Sequence, residues 1–274
     1  MPTCDNPLTR KLSAFVALSG EELEALARLR RYPRTFRARR EMIHEGQKPH
    51  SAFILESGWA CSFRVLPGGE RQIIDFHVPG DILGLRSILF RTLDHSGEAV
   101  TRIKASEVLL SDILASFSQT PRLATAVLWA AAREEAILVE HLVNLGRRSA
   151  DVRVAHFLLE LGARLELVGI GDERGFDCPL TQYYLADALG LSPVHVNRTL
   201  RRLREMGLVT FQKSRVRFDN LVALQDFAGF SPDYLDHDRP LLQNAAPPGE
   251  LAAEAALIAA RGSGASRGGG FAEH

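Results

Sequence analysis

A chain of 274 residues that is 46 % hydrophobic and 24 % charged holds enough apolar side chains for two modest cores. It has no apolar run near the roughly 20 residues that a membrane helix needs. Lysine plus arginine equals aspartate plus glutamate at 33 each, which excludes a uniformly basic chain and turns attention to where the charge is concentrated.

Three scattered cysteines, Cys4, Cys61 and Cys178, form no spaced framework, and no charged segment followed by an apolar one opens the chain. Both features predict a cytoplasmic protein with no membrane partner. Residues 8 to about 31 read as helical, with Ser19 capping a start that carries acids in its first turn, and Leu23, Leu26 and Leu29 follow at helical spacing. From Thr35 to about Leu110 the texture changes to short alternating or β-branched runs broken by glycines, the pattern of a compact antiparallel β domain. Residues 59–66 and 71–77 flank the turn Pro67-Gly68-Gly69-Glu70 and predict a hairpin, followed by a turn at Val78-Pro79-Gly80-Asp81.

Pro121 then opens a stretch rich in alanine, leucine and glutamate, and one long helix through Leu145 is predicted. Leu128, Ala131, Glu135, Leu138, Leu142 and Leu145 step along it by three and four, a coiled-coil seam of barely three heptads. The seam holds a homodimer together or packs on the chain's own β domain. Because Val127, Ile137 and Val139 lie off it, one face is expected to serve each purpose. A hinge is expected at Gly146, before a helix from Ala150 to about Leu167 that buries Val154, Phe157, Leu158 and Leu161.

The segment 181–204 carries the strongest signal. Thr181 is placed to cap a short helix with Leu185, Ala186 and Leu189 on one face, and Gly190 supplies the backbone freedom for a tight turn. Ser192 then Pro193, an N-cap hydroxyl and a proline at the first helical position, restart a helix whose Val196, Leu200 and Leu203 face back toward the first. Its other face carries Val194, Asn197, Arg198, Arg201 and Arg202, with Pro193 and His195 near its start. This is the layout of a helix-turn-helix, whose second helix enters the major groove of DNA, where arginine bridges the O6 and N7 of guanine and an apolar side chain meets a thymine methyl. From His195 to Arg217 there are seven Lys or Arg against one acid, Glu205, a local patch suited to phosphates. Residues 207–218 predict a hairpin with Lys213, Ser214 and Arg215 near its tip, a wing beside the reading helix. Beyond about Arg239 the chain lacks the large apolar residues that offset ordering entropy, so a disordered tail is expected, with a brief helix near 251–260.

A glycine-punctuated β domain, a long helix and a winged helix-turn-helix, in that order, resemble the Crp/Fnr family of bacterial transcription regulators. The motifs are HEGQ at 44–47, ILESGWA at 54–60, FHVPGDILGL at 76–85, LGRRSADVRVAHFLLEL at 145–161 and LGLSPVHVNRTLRRLREMGLV at 189–209. The resemblance implies an α+β fold: an N-terminal antiparallel β-roll, jelly-roll-like, with a helical lead (1–117), a dimerisation helix (118–146), a winged helix-turn-helix (147–224) and a C-terminal extension (225–274). It also implies a homodimer on a two-fold symmetric operator, with recognition helices in successive major grooves roughly 34 Å apart, and RNA polymerase as a further partner. It places an effector pocket at Leu83, Gly84, Leu85, Arg86 and Ser96.

Several positions depart from the family pattern. Cyclic-AMP-binding members carry Gly-Glu for the ribose and Arg-Ser-Ala for the phosphate. Here Gly84 precedes Leu85, and the second segment reads His95-Ser96-Gly97-Glu98-Ala99, so an acid stands where the phosphate needs a donor. Arg86, Arg91 and Arg102 lie nearby in sequence. A buried cyclic phosphate left unpaired costs several kcal/mol, and cyclic nucleotide is not the expected effector. Iron–sulfur members use four cysteines, three of them closely spaced near the N-terminus, where this chain has only Cys4. His77 is the candidate axial ligand for haem, against its ordinary use in finishing a strand; no cofactor or metal is expected, and Cys61 and Cys178 read as structural. Arg198 matches the family's base-reading arginine, whereas Val194 stands where a glutamate is common, so the operator is expected to differ.

Two rival classes remain. A sensory module of the cyclic-nucleotide type that acts through protein contacts alone would not need the basic helix and wing. An enzyme would need chemistry the sequence lacks, since it has no phosphate loop ending in Lys-Ser/Thr, no HExxH helix and no G-x-S-x-G elbow.

Overall fold

The structure is a computed structural model that describes residues 6–48, 51–85 and 90–235. Cys4, Arg86, the expected tail beyond 239 and the expected helix near 251–260 lie outside these residues. The helical lead is two helices, α1 (Pro7–Ser13) and α2 (Gly20–Leu29). The capping box that starts α2 separates them: Ser19 Oγ accepts from the Glu22 N–H, and Glu22 Oε2 accepts from the Ser19 N–H at 2.7 Å.

Eight strands follow, β1 (Pro33–Phe36), β2 (Glu41–Ile43), β3 (Ser51–Ser57), β4 (Ala60–Val65), β5 (Arg71–His77), β6 (Ile82–Leu83), β7 (Ser96–Ala99) and β8 (Ile103–Leu109). They form two four-stranded antiparallel sheets, ordered β1-β8-β3-β6 and β2-β7-β4-β5, and this is the expected roll. The hairpin pairs Val65 with Arg71 and Ala60 with His77. Apolar side chains of both sheets, among them Ile43, Phe53, Leu55, Leu83 and Ile103, close the interior. Gly58 sits at φ 86°, where a Cβ would lie 2.3 Å from the Arg102 carbonyl oxygen, so only glycine lets the β3–β4 turn pass this backbone.

Helix α3 (Leu110–Gln119) leads to α4 (Pro121–Arg147), 27 residues and about 40 Å long. Leu123, Val127 and Ile137 are buried along one side of α4 and Trp129 is buried on another, and Phe15 stacks on Trp129 at 5.2 Å. Val139, expected to pack with them, is 55 % exposed instead. Two residues after the buried Ile137, it has turned about 200° around the helix. The expected hinge also moves. Helix α4 runs straight through Gly146, and the chain breaks at Arg148 (φ −85°, ψ 144°), where Ser149 caps α5 (Ala150–Leu167).

The last part holds β9 (Gly171–Asp172), β10 (Gly175–Asp177), α6 (Gln182–Leu189), α7 (Pro193–Glu205), β11 (Val209–Gln212), β12 (Arg215–Phe218), α8 (Leu221–Ala228) and a 3-10 turn, Pro232–Leu235. The expected wing hairpin belongs to a sheet of four strands, β11-β12-β10-β9. This part does not swing free of the roll: Trp59, Cys61, Ile73 and Phe76 share one apolar core with Phe157, Leu158, Leu161 and Leu185. Arg164 of α5, whose side chain is 2 % exposed, reaches Asp75 at 2.8 Å, Asp81 at 3.0 Å and the Phe76 carbonyl at 2.6 Å. The chain's described end returns to α4 and α5, where Tyr234 donates to Glu160 at 2.9 Å and Arg133 Nε donates to the Leu235 carbonyl at 2.6 Å.

Candidate nucleic-acid interface

Leu185, Ala186 and Leu189 on α6 and Val196, Leu200 and Leu203 on α7 are buried together, as their spacing predicts. Gly190 ends α6 at φ 61°, and Ser192 caps α7 by accepting from the His195 N–H at 3.2 Å, with Pro193 in the first turn. Thr181 departs from expectation. It occupies the N-cap position of α6 with extended backbone, but its exposed hydroxyl makes no capping hydrogen bond.

The outward face of α7 carries Val194, 80 % exposed, with Asn197, Arg198, Arg201 and Arg202. Its arginines are not equivalent. Arg201 is held by Glu205 at 2.7 Å and Arg202 by Asp151 of α5 at 2.6 Å, whereas Arg198 has no side-chain partner among the described residues. A guanidinium free of internal ion pairs keeps its five donors for a base edge or a phosphate. At the wing tip Lys213 and Ser214 take positive φ, 50° and 56°, matching a two-residue hairpin whose twist follows that of its strands. Lys213 is exposed without a partner among the described residues, and Arg215 pairs with Asp177 at 2.9 Å.

Contacts from the roll hold α6 and leave this face of α7 outward. Arg71 of β5 bridges Glu98 at 2.7 Å and Asp187 at 2.8 Å and lies 5.2 Å over the Tyr184 ring. Gln72 donates to the Ala188 carbonyl at 3.2 Å. The Tyr184 hydroxyl donates to Glu98, and burial beside that carboxylate raises its pKa to about 12. Glu98, the acid at the family's phosphate position, is thus turned toward α6.

Of the expected effector residues that are described, Leu83 is fully buried in the roll core, Ser96 accepts from the Glu45 N–H at 3.0 Å, and Gly84 lines the cavity beneath α4. That cavity is about 50 Å³, far below the several hundred Å³ of drug-sized ligand sites. Its walls include His77, His95, Asp75 and Glu134. His77 accepts or donates one hydrogen bond, to Ser62 at 2.6 Å, and burial lowers its pKa; burial raises that of Glu134 to about 7. Asp75, His141 and Glu160 have metal-ligand proximity, within 4.8 Å, but Arg164 and mutual hydrogen bonds already satisfy them. Cys61 and Cys178 are buried thiols whose pKa burial pushes up, that of Cys178 to about 12.

Along α4, Leu128 is 64 % and Leu142 72 % exposed; Glu135 and Leu145 are also exposed, and Ala131 and Leu138 are half-buried. Leu138, Leu142 and Leu145 line an apolar cleft of about 230 Å³ with Ile73 of β5, Phe157 of α5 and Leu189 of α6. It lies where roll, long helix and reader meet.

Two family models match this chain, the cyclic nucleotide-binding domain over residues 33–127 and the Crp-like helix-turn-helix domain over residues 152–227. The nitrogen fixation regulation protein FixK of Azorhizobium caulinodans is 32 % identical over 184 residues, 67 % of this chain and 73 % of that protein. The transcriptional activator protein FnrA of Stutzerimonas stutzeri is 25 % identical over 218 residues, 80 % of this chain and 89 % of that one. The solved structure of FixK2 from Bradyrhizobium japonicum superposes with a TM-score of 0.65 at 26 % identity, covering 73 % of this chain and 98 % of that one.

Proposed function

The chain belongs to the Crp/Fnr family of transcription regulators, and from that premise we propose that it acts as a homodimer on a two-fold symmetric operator, one α7 in each of two successive major grooves. It is a DNA-binding transcription regulator; its relatives are regulators and not enzymes. The observation that carries the reading is the capped, outward α7 whose exposed face presents Val194, Asn197 and the unpaired Arg198. Thr181, at the start of α6, and Lys213 and Arg215 of the wing flank that face in the chain and supply phosphate contacts that set register without reading sequence.

The second copy is seated on α4. Leu128 and Leu142 stand exposed two heptads apart with Glu135 exposed between them, and exposed leucines at heptad spacing suit association with a second helix. Working on chromosomal DNA places the protein in the cytoplasm, with RNA polymerase as the machine it recruits or blocks. The effector pocket is the small cavity under α4, and its protonatable walls suit a small polar ligand better than a cyclic nucleotide. Selection of preferred duplexes from random DNA tests the reading. Enrichment of an inverted repeat with half-site centres about ten base pairs apart is expected, and failure to enrich any sequence refutes it.

A further inference from the structure

The richest concentration of positive charge in this chain lies far from the DNA reader in sequence. Residues 28–40 contain seven arginines and no acid. Four of them are engaged: Arg28 with Gln119, Arg30 with Glu56, Arg31 with Asp112 and Arg34 with Glu107. Arg37, Arg39 and Arg40, on the β1–β2 turn, are exposed and have no side-chain partner among the described residues.

The turn that carries them is pinned. Arg39 stands at φ 63°, a left-handed conformation unfavourable for a residue with a Cβ. It is held there by its N–H to the Ala99 carbonyl at 2.6 Å, while the Ala99 N–H donates to the Arg40 carbonyl at 2.9 Å. The three guanidiniums therefore leave a fixed backbone. Beside them β1 is the terminal strand of its sheet. Tyr32 accepts from the Glu107 N–H, so by the alternation of an antiparallel ladder Pro33 and Thr35 turn their backbone groups away from β8, toward the free edge. Open clefts of about 580 Å³ and 450 Å³ run along this strand, the larger floored by Phe36 and Phe53 and bordered by Arg34, Arg37 and Arg40.

We propose that the β1 edge with its arginine turn is a docking site for an extended acidic segment of a partner protein, which adds as a strand beside β1 and pairs its carboxylates with Arg37, Arg39 and Arg40. An unpaired strand edge supplies main-chain hydrogen bonds, and fixed cations beside it select acids on the incoming strand. The topology favours a protein segment over the operator, because the DNA-reading part packs on β5, the far edge strand of the other sheet.

Fluorescence anisotropy with the full-length protein tests this. The probe is a labelled decapeptide alternating glutamate and valine, with a glutamine–valine decapeptide as control. The glutamate peptide should bind about tenfold more tightly than the control, and added salt should erase that difference. The double variant Arg37→Glu/Arg40→Glu should lose at least about tenfold in peptide affinity and keep its affinity for duplex DNA. Thr35→Pro, which removes an edge N–H without altering charge, should weaken the peptide as well. Equal binding of both peptides, binding of neither, or indifference to Thr35→Pro overturns the proposal. A parallel loss of duplex affinity in the arginine double variant also overturns it, by assigning the turn to nucleic acid.

Discussion

Arg198→Ala and Arg201→Ala remove the same side chain from neighbouring points on one exposed helical face, yet the structure predicts unequal results. Arg198 has no internal partner, so its donors are available to a base edge; Arg201 already spends its charge on Glu205 at 2.7 Å. A good bidentate contact to a base is worth about 1–3 kcal/mol. The proposed homodimer carries the substitution twice, and well-separated half-sites add, so the full operator loses about 2–6 kcal/mol, roughly 30-fold to 10⁴-fold in Kd. Discrimination at the contacted base pair should collapse with it. Arg201→Ala, which breaks an exposed pair within one helix, should change Kd roughly threefold or less. Titration of each variant against the selected operator, and against a duplex substituted at that base pair, measures both effects. Equal losses, or intact selectivity in Arg198→Ala, would refute the assignment of base reading to the unpaired arginine.

Three further outcomes follow from other parts of the molecule. Leu142→Asp places a charge on a residue 72 % exposed within the chain, so sedimentation should show folded monomers with weak operator affinity; a dimer of unchanged strength removes α4 from the interface. Arg164→Met leaves the Asp75 carboxylate in the interior without its cation, while Asp81 keeps Lys11 at 2.7 Å, and should cost about 3–5 kcal/mol in denaturant unfolding. A loss below about 1 kcal/mol would mean that this network does not hold α5 to the roll. His141 is buried; burial opposes its charge, but Glu160 at 2.8 Å outweighs that and raises its pKa from 6.5 to about 9. A pKa raised on folding gives stability that is complete below 6.5 and lost as pH climbs through about 9. The stability difference between wild type and His141→Gln should thus be on the order of 3 kcal/mol near pH 6 and vanish toward pH 10; a difference independent of pH contradicts the ion pair.

What could be read from the sequence was what is local. Ser192-Pro193, Gly190 and the spacing of Val196, Leu200 and Leu203 specify the reading helix within about a dozen residues, and the wing follows from a hairpin pattern of the same reach. The long helix α4 is legible for the same reason, since one helix sets its own period. Tertiary choices were not visible. Arg71 and Asp187 are 116 residues apart, and nothing in either neighbourhood predicts that α6 will dock on β5. The resemblance puts the effector residues on β6, the turn after it and β7; Leu83 is buried in the roll core, and Gly84 shares the cavity under α4 with His77, His95 and Glu134, which no local pattern brings together. Strands β9 and β10, two and three residues long, are too short to show a period. The arginines of 28–40 stand outside any motif, and a net charge of zero does not single them out. Which of them are satisfied depends on Glu56, Glu107 and Asp112, brought there only by the fold.

Methylation-interference footprinting on the selected operator tests the central claim most directly, because it reports which guanine N7 atoms the bound protein needs. Two clusters of interfering guanines in the major groove, related by a dyad and centred about ten base pairs apart, are expected, and both should disappear with Arg198→Ala. A single cluster, or interference that survives the substitution, would contradict a pair of α7 helices reading successive grooves.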